Sequence, residues 1–202
     1  MQDNSILVKP NPIEQNRIFL HVCCGPCAEW PIEFLRSQDR LITVFFYNPN
    51  IHPLFEHDRR LENVQKLMRI RDIPLVIDRS FMEKEWRDAS WKKEYISRCL
   101  MCYDVRMRHA ANAAKINGFT TFTSSLLVSP YQDFGAIIEA GHRAAKKEGI
   151  HFLPIDFRDG FRKGQQMAKD DGLYRQKYCG CIFSLESSTY KEKIYVEFDS
   201  ST

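Results

Sequence analysis

Residues 18–27 read IFLHVCCGPC, an apolar run that leads directly into a group of three cysteines. Residues 18–22 predict a β-strand, and the stretch 28–37 behind the cysteines predicts a helix. A strand followed at once by a helix is typical of a βαβ unit, whose strands lie parallel in one sheet. Ligands of such sheets bind beyond the carboxyl ends of the strands, so the cysteines fall where a functional site is expected.

Strands and helices alternate along the rest of the chain. Further strands are predicted at residues 41–47, 75–77, 119–124 and 151–157, and further helices at residues 57–70, 101–117 and from 134 to the glycine at 149. The pattern predicts an α/β fold in a single domain, with a parallel sheet and flanking helices. We expect residues 17–186 to form this domain and the polar segments 1–16 and 187–202 to be loosely ordered.

Composition narrows the class of protein. The chain has 202 residues, of which 44% are hydrophobic, and this is enough for one substantial core. No run approaches the ~20 apolar residues of a membrane helix, and residues 1–15 lack the apolar segment of a secretory signal. We therefore expect a cytoplasmic protein without a membrane partner. The net charge of +3 leaves nucleic-acid binding open, because binding requires basic residues to be gathered on one face.

The seven cysteines are not spread along the chain as packing residues would be. They form three groups: Cys23-Cys24-Gly25-Pro26-Cys27, Cys99-Leu100-Met101-Cys102 and Cys179-Gly180-Cys181. Thiols stay reduced in the cytosol, where grouped cysteines more often bind metal or perform redox chemistry than form structural disulfides. Folding that brings the three groups together would build one thiolate site.

The first two groups suit an iron–sulfur cluster. Four thiolates suffice for a 4Fe–4S cluster, and Cys23, Cys24, Cys99 and Cys102 would supply them. The adjacent side chains of Cys23 and Cys24 diverge, so they are poor ligands for one small tetrahedral ion. The alternative for Cys99 and Cys102 is a structural zinc site.

Two rival functions stay open at this point. Residues 24–27 spell Cys-Gly-Pro-Cys between a strand and a helix, which favours a thioredoxin-like dithiol oxidoreductase. The length of the chain and the other cysteines count against this alternative. A zinc-stabilised RNA-binding module without redox activity is the non-enzymatic alternative.

Cys179 and Cys181 flank a single glycine. Thiols at this spacing can close a small, strained disulfide ring, and strained disulfides are oxidising and cycle easily. The pair would then store two electrons as a dithiol, which makes Cys179 and Cys181 candidate catalytic residues. The alternative is that both are further metal ligands.

Other polar residues carry weaker signals. The loop at residues 47–53 follows the second predicted strand, where a substrate loop is expected, and residues 174–178 mix cations and aromatic rings as RNA-contacting loops do. His21 is either a proton donor or a buried, hydrogen-bonded histidine. Asp104 is either an iron ligand or a helix cap. The arginines of the predicted helices, Arg60 and Arg106 among them, are expected on solvated faces.

Five motifs resemble those of one family, the cobalamin-independent, QueH-type epoxyqueuosine reductases. In order they are His21-x-Cys23-Cys24-Gly25-Pro26-Cys27, Tyr47-Asn48-Pro49-Asn50-Ile51, Cys99-x-x-Cys102-Tyr103 with Arg106, Leu126-Leu127-x-Ser129-Pro130-Tyr131-Gln132, and Tyr174-Arg175-Gln176-x-Tyr178-Cys179-Gly180-Cys181. Each motif alone is modest, but the ordered set is highly specific. The resemblance implies a fold similar to the adenine-nucleotide α-hydrolase (HUP-like) type, with the cysteine loop in place of a phosphate loop.

The resemblance also implies an activity and its cofactors. The implied reaction is the reductive deoxygenation of epoxyqueuosine to queuosine at the wobble position of a tRNA anticodon, the last step of queuosine biosynthesis. A tRNA carrying epoxyqueuosine and an unidentified electron donor are the implied partners. The residues that match the 4Fe–4S ligands of the family are Cys23, Cys24, Cys99 and Cys102.

The resemblance assigns further roles in the same way. Cys179 and Cys181 match a redox-active pair, and Cys27 and Asp104 are candidate ligands of an additional mononuclear iron. The candidate substrate contacts all lie in the matching motifs: Tyr47, Asn48, Asn50, Tyr131, Gln132, Arg175 and Gln176.

Overall fold

The computed structural model describes residues 16–88 and 93–199, and its centre is a parallel sheet of five strands. The strands lie in the order β3-β2-β1-β4-β5, and all their pairings are parallel. The predicted α/β fold class is confirmed. The bounds of the strands are β1 (Arg17–Val22), β2 (Leu41–Tyr47), β3 (Leu75–Asp78), β4 (Thr121–Ser124) and β5 (His151–Phe152).

Helices connect and flank the strands. Their bounds are α1 (Gly25–Ser37), α2 (Leu54–Arg71), α3 (Glu83–Arg87), α4 (Arg98–Ile116), α5 (Phe134–Glu148), α6 (Phe161–Asp170), α7 (Ile182–Glu186) and α8 (Lys191–Asp199). Short 3₁₀ turns lie at Ser125–Val128 and Arg158–Gly160. Within the described ranges, every helix is too short or too polar to cross a membrane.

The first cysteine group lies at the point where the strand order reverses, between β1 and β4. β1 is central, β2 and β3 extend the sheet on one side, and β4 and β5 extend it on the other. In open parallel sheets such a reversal opens a crevice at the carboxyl ends of the two adjoining strands. Cys23 and Cys24 directly follow β1, and the turn Ser125–Val128 directly follows β4. The two segments that border the crevice therefore include the first cysteine group.

The burial of each strand follows its place in the sheet. Ile18, Phe19 and Leu20 of β1 are at most 1% exposed, and such a continuous apolar run is typical of a central parallel strand covered on both faces. The edge strand β5 is shorter than the predicted strand at residues 151–157 and ends at Phe152. Pro154 follows closely and has no N–H to continue the ladder.

Three helices begin about three residues earlier than the sequence pattern predicts, and one of them is α2, which begins at Leu54 rather than at residue 57. α1 begins at Gly25 rather than at residue 28, since Pro26 in the first turn needs no backbone N–H. α4 begins at Arg98 rather than at residue 101, because Ser97 Oγ accepts a hydrogen bond from Leu100 N at 3.3 Å and caps the helix. The first two cysteine groups consequently lie in or beside the first turns of helices, where the helix dipole favours thiolates.

The sequence pattern does not predict α3, α6, α7 or α8. α6 packs against α1 through Gly164, where a Cβ would meet Trp30 at 3.1 Å, and small residues of this kind give little hydrophobic signal. α8 lies in the segment expected to be loosely ordered, and its Ile194 is 2% exposed in a cluster with Ile182 and Leu185. The domain limits at 17 and 186 stay a prediction, and residues 1–15 lie outside the described part of the chain.

An ionic group is buried where α1 meets α2. Glu29 of α1 has no exposed surface, and its Oε2 accepts a hydrogen bond from Arg71 at 2.9 Å. Arg71 also contacts Asp171 at 2.6 Å, and Glu29 Oε1 has no hydrogen-bond partner among the described residues. Burial, opposed by Arg71, raises the pKa of Glu29 to about 7.

The raised pKa of Glu29 makes its ionisation destabilising. Because the folded pKa lies above the unfolded value, this residue's contribution is most favourable below about pH 4.5 and is lost as pH rises to about 7. The free energy of unfolding of wild type should fall over this window by roughly 3 kcal/mol relative to Glu29→Gln. Urea unfolding at several pH values measures the difference, with the exposed Glu33→Gln as a control on the same helix. Parallel stability curves for wild type and Glu29→Gln would contradict the assignment.

Candidate metal and redox site

The first cysteine group lies at the carboxyl end of β1 and leads directly into α1. The Sγ atoms of Cys23, Cys24 and Cys27 all lie within 4.8 Å of one another, and those of Cys23 and Cys24 are 3.6 Å apart. Gly25 permits this tight passage, because a Cβ there would meet Leu173 at 3.1 Å. Among the histidine, cysteine and acidic residues that the structure describes, this is the one group of three with metal-ligand spacing.

Among the three thiols, Cys23 is the one whose surroundings favour negative charge. Hydrogen bonds from Cys24 and Cys27 hold the pKa of Cys23 well below its ordinary value. Burial raises the pKa of Cys24, and hydrogen bonds to the other two thiols raise the pKa of Cys27. Ser125 Oγ also donates to Cys23 Sγ at 3.7 Å. A metal that binds Cys24 and Cys27 must therefore displace their protons.

The second group, Cys99 and Cys102, lies in the first turns of α4. Burial raises the pKa of Cys102 to about 12 and the pKa of Cys99 above its ordinary value, so both are neutral thiols at neutral pH. Arg106 lies one helical turn after Cys102, with Nη1 4.0 Å from the Sγ atom. Its Nη2 donates to Asn48 Oδ1 at 2.7 Å. Arg106 therefore places a buried positive charge beside the second cysteine group, and Asn48 holds it there.

The third group lies on the loop that leads into α7. Cys179 is exposed and accepts a hydrogen bond from Gln132 Nε2 at 3.3 Å, whereas Cys181 is buried in a cluster with Met101 of α4. Gly180 between them has φ of 143°, a backbone conformation that glycine tolerates and other residues rarely adopt. All seven cysteines are free thiols. The loop thus presents one thiol at the surface and the other to the interior.

A buried ion pair contacts the backbone of the loop that carries the third cysteine group. Arg60 of α2 donates from Nη1 to the carbonyl of Cys179 at 2.9 Å and from Nη2 to the carbonyl of Tyr178 at 3.0 Å. Its Nε donates to Glu56 Oε1 at 2.7 Å, and both charged side chains are at most 1% exposed. Glu56 Oε2 accepts a further hydrogen bond from Tyr174 at 3.0 Å. Both buried charges are therefore paired and hydrogen-bonded, as burial requires.

His52 ties the same loop to the segment after β2. Its backbone N–H donates to the carbonyl of Gly180 at 2.9 Å, and its Nδ1 accepts from the N–H of Ile182 at 3.1 Å. The proton of the ring therefore lies on Nε2, which donates to the carbonyl of Pro49 at 3.0 Å. Burial lowers the pKa of His52 to about 4, so the ring is neutral and keeps this tautomer at neutral pH.

A pocket of about 310 Å³ lies between the first and third cysteine groups. Cys23 and Cys27 of the first group and Cys179 of the third line it, together with Arg106. The remaining walls come from the turn after β4, residues 129–132, the start of α6 and residues 176–178. Thiols from distant parts of the sequence therefore face one small volume at the carboxyl ends of β1 and β4.

Comparison with known proteins shows the family of the chain. The family model described as epoxyqueuosine reductase QueH matches residues 18–187, which include all three cysteine groups. The chain belongs to this family. The resemblance inferred from the motifs is confirmed, and so is the predicted class of enzyme, an oxidoreductase.

Individual QueH relatives match most of the chain. An epoxyqueuosine reductase QueH of Haemophilus influenzae is 36% identical over 184 residues, covering 88% of this chain and 75% of the relative. The QueH protein of Dehalococcoides mccartyi is 33% identical, covering 83% and 92%, and that of Thermotoga maritima is 32% identical, covering 83% and 90%. The similarity thus extends over the sheet and the site together.

Three of the seven predicted substrate contacts line the pocket of this QueH family member: Tyr131, Gln132 and Gln176. Gln132 donates to Cys179, and Gln176 Nε2 donates to Cys27 Sγ at 3.5 Å. Both amides therefore lie where they contact thiols and face the pocket.

The two predicted asparagines, Asn48 and Asn50, are buried and are not among the residues that line the pocket. Asn48 is fully buried, and its Nδ2 donates to the carbonyl of Val22 at 2.9 Å. Asn50 is 2% exposed and lies beside Gly180, where a Cβ would be 3.8 Å from its Nδ2. Both side chains are placed to act on the site through other residues, and contact with substrate remains a prediction.

The last two predicted contacts, Tyr47 and Arg175, are not among the pocket-lining residues. The Tyr47 ring stacks on His109 with ring centroids 3.7 Å apart, and Arg175 is exposed on the loop before the third cysteine group. Their contact with substrate remains a prediction.

The predicted cluster ligands are split between two groups in the structure. Cys23 and Cys24 form a group with Cys27, and Cys99 and Cys102 form another. The charge of Arg106 acts on both, since its electrostatic partners include Cys102 and Cys23. A 4Fe–4S cluster on the four predicted ligands remains a prediction.

Asp104 is already engaged by other side chains. Its carboxylate accepts a hydrogen bond from Tyr95 at 2.6 Å and pairs with Arg108 at 3.0 Å and Arg143 at 3.6 Å. Ser97, not Asp104, caps α4. The roles of Asp104 and Cys27 as ligands of an additional iron remain predictions.

The structure corrects the prediction for Arg60 and Arg106 and decides between the two alternatives for His21. Arg60 and Arg106 are buried rather than solvated, and the signal for Arg106 was its position four residues after Cys102, which places both side chains on one helix face. His21 is fully buried, with its ring bonded to Ser124 Oγ at 2.8 Å and to the carbonyl of Tyr47 at 3.1 Å. Burial lowers the pKa of His21 to about 3, so it is the buried, hydrogen-bonded histidine and not a proton donor.

Proposed function

We propose that this protein reduces epoxyqueuosine to queuosine in tRNA, using a 4Fe–4S cluster and the dithiol of Cys179 and Cys181. The observation that carries the proposal is the pocket in which Cys23, Cys27 and Cys179 meet. Family membership supplies the reaction, since the relatives are named epoxyqueuosine reductases. The pocket brings a candidate two-electron store next to candidate metal ligands.

The chemistry of the donor set fits a thiolate-bound cluster. Cysteines of the first and third groups line one pocket with the buried guanidinium of Arg106, which also contacts Cys102 of the second group. A 4Fe–4S cluster held by four thiolates is an anion that a fixed positive charge stabilises. Cys23, Cys24, Cys99 and Cys102 would hold it. When bound, the cluster would transfer electrons, and an additional iron would polarise the epoxide oxygen.

The third cysteine group can supply the electrons and protons that the reduction consumes. Removing the epoxide oxygen as water and leaving an alkene consumes two electrons and two protons. Oxidation of Cys179 and Cys181 to a disulfide releases two electrons and two protons, so one turnover uses one dithiol. A reductant outside this chain must then return the disulfide to the dithiol. Arg60 and His52 hold the backbone of this loop during the cycle.

The pocket also suits one modified base. Its volume of about 310 Å³ is at the lower end of small-ligand sites, which run from roughly 300 to 1,000 Å³. Gln132 and Gln176 offer amide groups to a polar substrate. Tyr131 at the rim packs edge-to-face with Phe161 and is still 84% exposed, so its ring offers an aromatic surface to a base. Bases of an anticodon loop can be splayed out for such recognition. The proposal places the protein in the cytoplasm with its tRNA partner.

The thioredoxin-like alternative conflicts with the burial of its two thiols. Cys24 and Cys27 are 1% and 6% exposed, and the pKa of each is raised. An attacking thiol in disulfide exchange has to be accessible and partly ionised. The structure therefore favours a metal-binding role for this group.

Iron and sulfide analysis tests the cluster. Anaerobically purified wild type should be brown, and Cys23→Ala, Cys24→Ala, Cys99→Ala and Cys102→Ala should each lose most of the bound iron, inorganic sulfide and broad visible absorption. The Ser129→Ala protein, altered in the pocket wall, should keep all three. Wild-type iron and sulfide in all four alanine variants would refute the ligand assignment. A colourless wild type with bound zinc would favour the non-enzymatic alternative, a zinc-stabilised tRNA-binding module.

A further inference from the structure

Arg106 is a buried cation without a carboxylate partner. Its side chain belongs to α4 and is 3% exposed, and no aspartate or glutamate of the described chain lies within ion-pair distance of it. Its electrostatic partners are the sulfurs of Cys102, Cys23 and Cys179. An uncompensated buried charge is strongly destabilising, so this arrangement calls for negative charge on the sulfur side.

The guanidinium is held in one orientation. Asn48 donates from Nδ2 to the carbonyl of Val22 at 2.9 Å, which turns its Oδ1 towards Arg106 Nη2 at 2.7 Å. Nη1 lies 4.0 Å from Cys102 Sγ. Asn48 thus connects the end of β1 to the guanidinium of Arg106 on α4 and fixes the position of its charge.

One donor of Arg106 remains free. Its Nε is buried and has no hydrogen-bond partner among the described residues. Buried donors are rarely left unpaired, and an unpaired one at a functional site indicates a missing acceptor. Sulfur atoms of a bound cluster are acceptors of the required kind.

We propose that Arg106 is a positioning residue that sets the reduction potential of the bound cluster through its fixed positive charge, with Asn48 holding that charge in place. The inference rests on the proposed cluster. One-electron reduction adds a negative charge to the cluster, and a nearby cation in a low-dielectric site stabilises the reduced form more than the oxidised form. Arg106 therefore raises the potential and favours electron entry at this centre.

Redox titration of the iron-loaded protein, followed by its visible and EPR spectra, tests the proposal. Arg106→Gln should shift the one-electron reduction equilibrium at least tenfold towards the oxidised cluster, which is about 59 mV more negative. Arg106→Lys keeps the charge and should stay within threefold of wild type. Asn48→Asp removes the donor to Val22 and puts a carboxylate beside the guanidinium, and should shift the potential in the same direction as Arg106→Gln.

The control is Arg108→Gln on the same helix. Arg108 is 51% exposed and already paired with Asp104, so its removal should leave the potential unchanged. Iron lost from Arg106→Gln but retained with wild-type potential in Arg106→Lys would also support the role of the charge. Iron lost from both variants, or an unshifted potential in iron-loaded Arg106→Gln, would overturn the inference alone. A wild type without iron would overturn the proposed function and this inference with it.

Discussion

Cys179→Ser and Cys181→Ser should each abolish the conversion of epoxyqueuosine to queuosine while leaving the bound iron and the brown colour intact. A serine cannot form the disulfide, so the two-electron store is lost, and removal of a reacting group costs on the order of 10³-fold or more in turnover. Mass spectrometry of digested tRNA measures the product. Mass spectrometry of the alkylated protein should show the wild-type pair differing by two hydrogens between its redox states.

Exposure makes the two thiols distinguishable in this experiment. Cys179 lies at the pocket and is exposed, so alkylation should reach it before the buried Cys181. Ser187→Ala, on the same C-terminal segment and outside the pocket, should behave as wild type. A Cys181→Ser protein depleted of iron would instead make Cys181 a metal ligand. The electrons would then have to pass through Cys27 or come directly from an external donor.

Arg60→Met should lower the free energy of unfolding by about 3–5 kcal/mol. The substitution leaves the Glu56 carboxylate buried without its cation and removes the donors to the carbonyls of Tyr178 and Cys179. The loop that carries the third cysteine group should also become more mobile, and turnover should fall with it. Urea unfolding measures the stability, and hydrogen exchange of residues 178–182 measures the order of the loop.

The neighbouring arginine provides the matched control. Arg59 lies on the same helix, is 40% exposed and pairs with Glu197 at 3.1 Å, so Arg59→Met should cost less than about 1 kcal/mol. Adding Glu56→Leu to Arg60→Met should recover part of the loss, because the unpaired buried charge is removed. Equal stability of the two single arginine variants would contradict the structural role of Arg60.

Elements with a local signal can be predicted from the sequence alone. β1 and β2 appear at or within one residue of their predicted bounds, because a run of apolar and β-branched residues is enough to mark a buried parallel strand. The three cysteine groups and the order of the motifs identified the family. The start of α4 was predicted too late because an N-cap serine is a weaker signal than the apolar face that follows it.

The polar residues of the site can be recognised only from contacts between distant parts of the chain. Arg60 reaches carbonyls 118 and 119 residues away, Asn48 meets Arg106 across 58 residues, and His52 bonds Ile182 across 130. A buried charge is tolerated only where its partners converge on it, and helix periodicity cannot reveal partners that come from other elements. The same limit applies to the pocket, since the sequence supplies the thiols and only the fold brings Cys23, Cys27 and Cys179 around one volume.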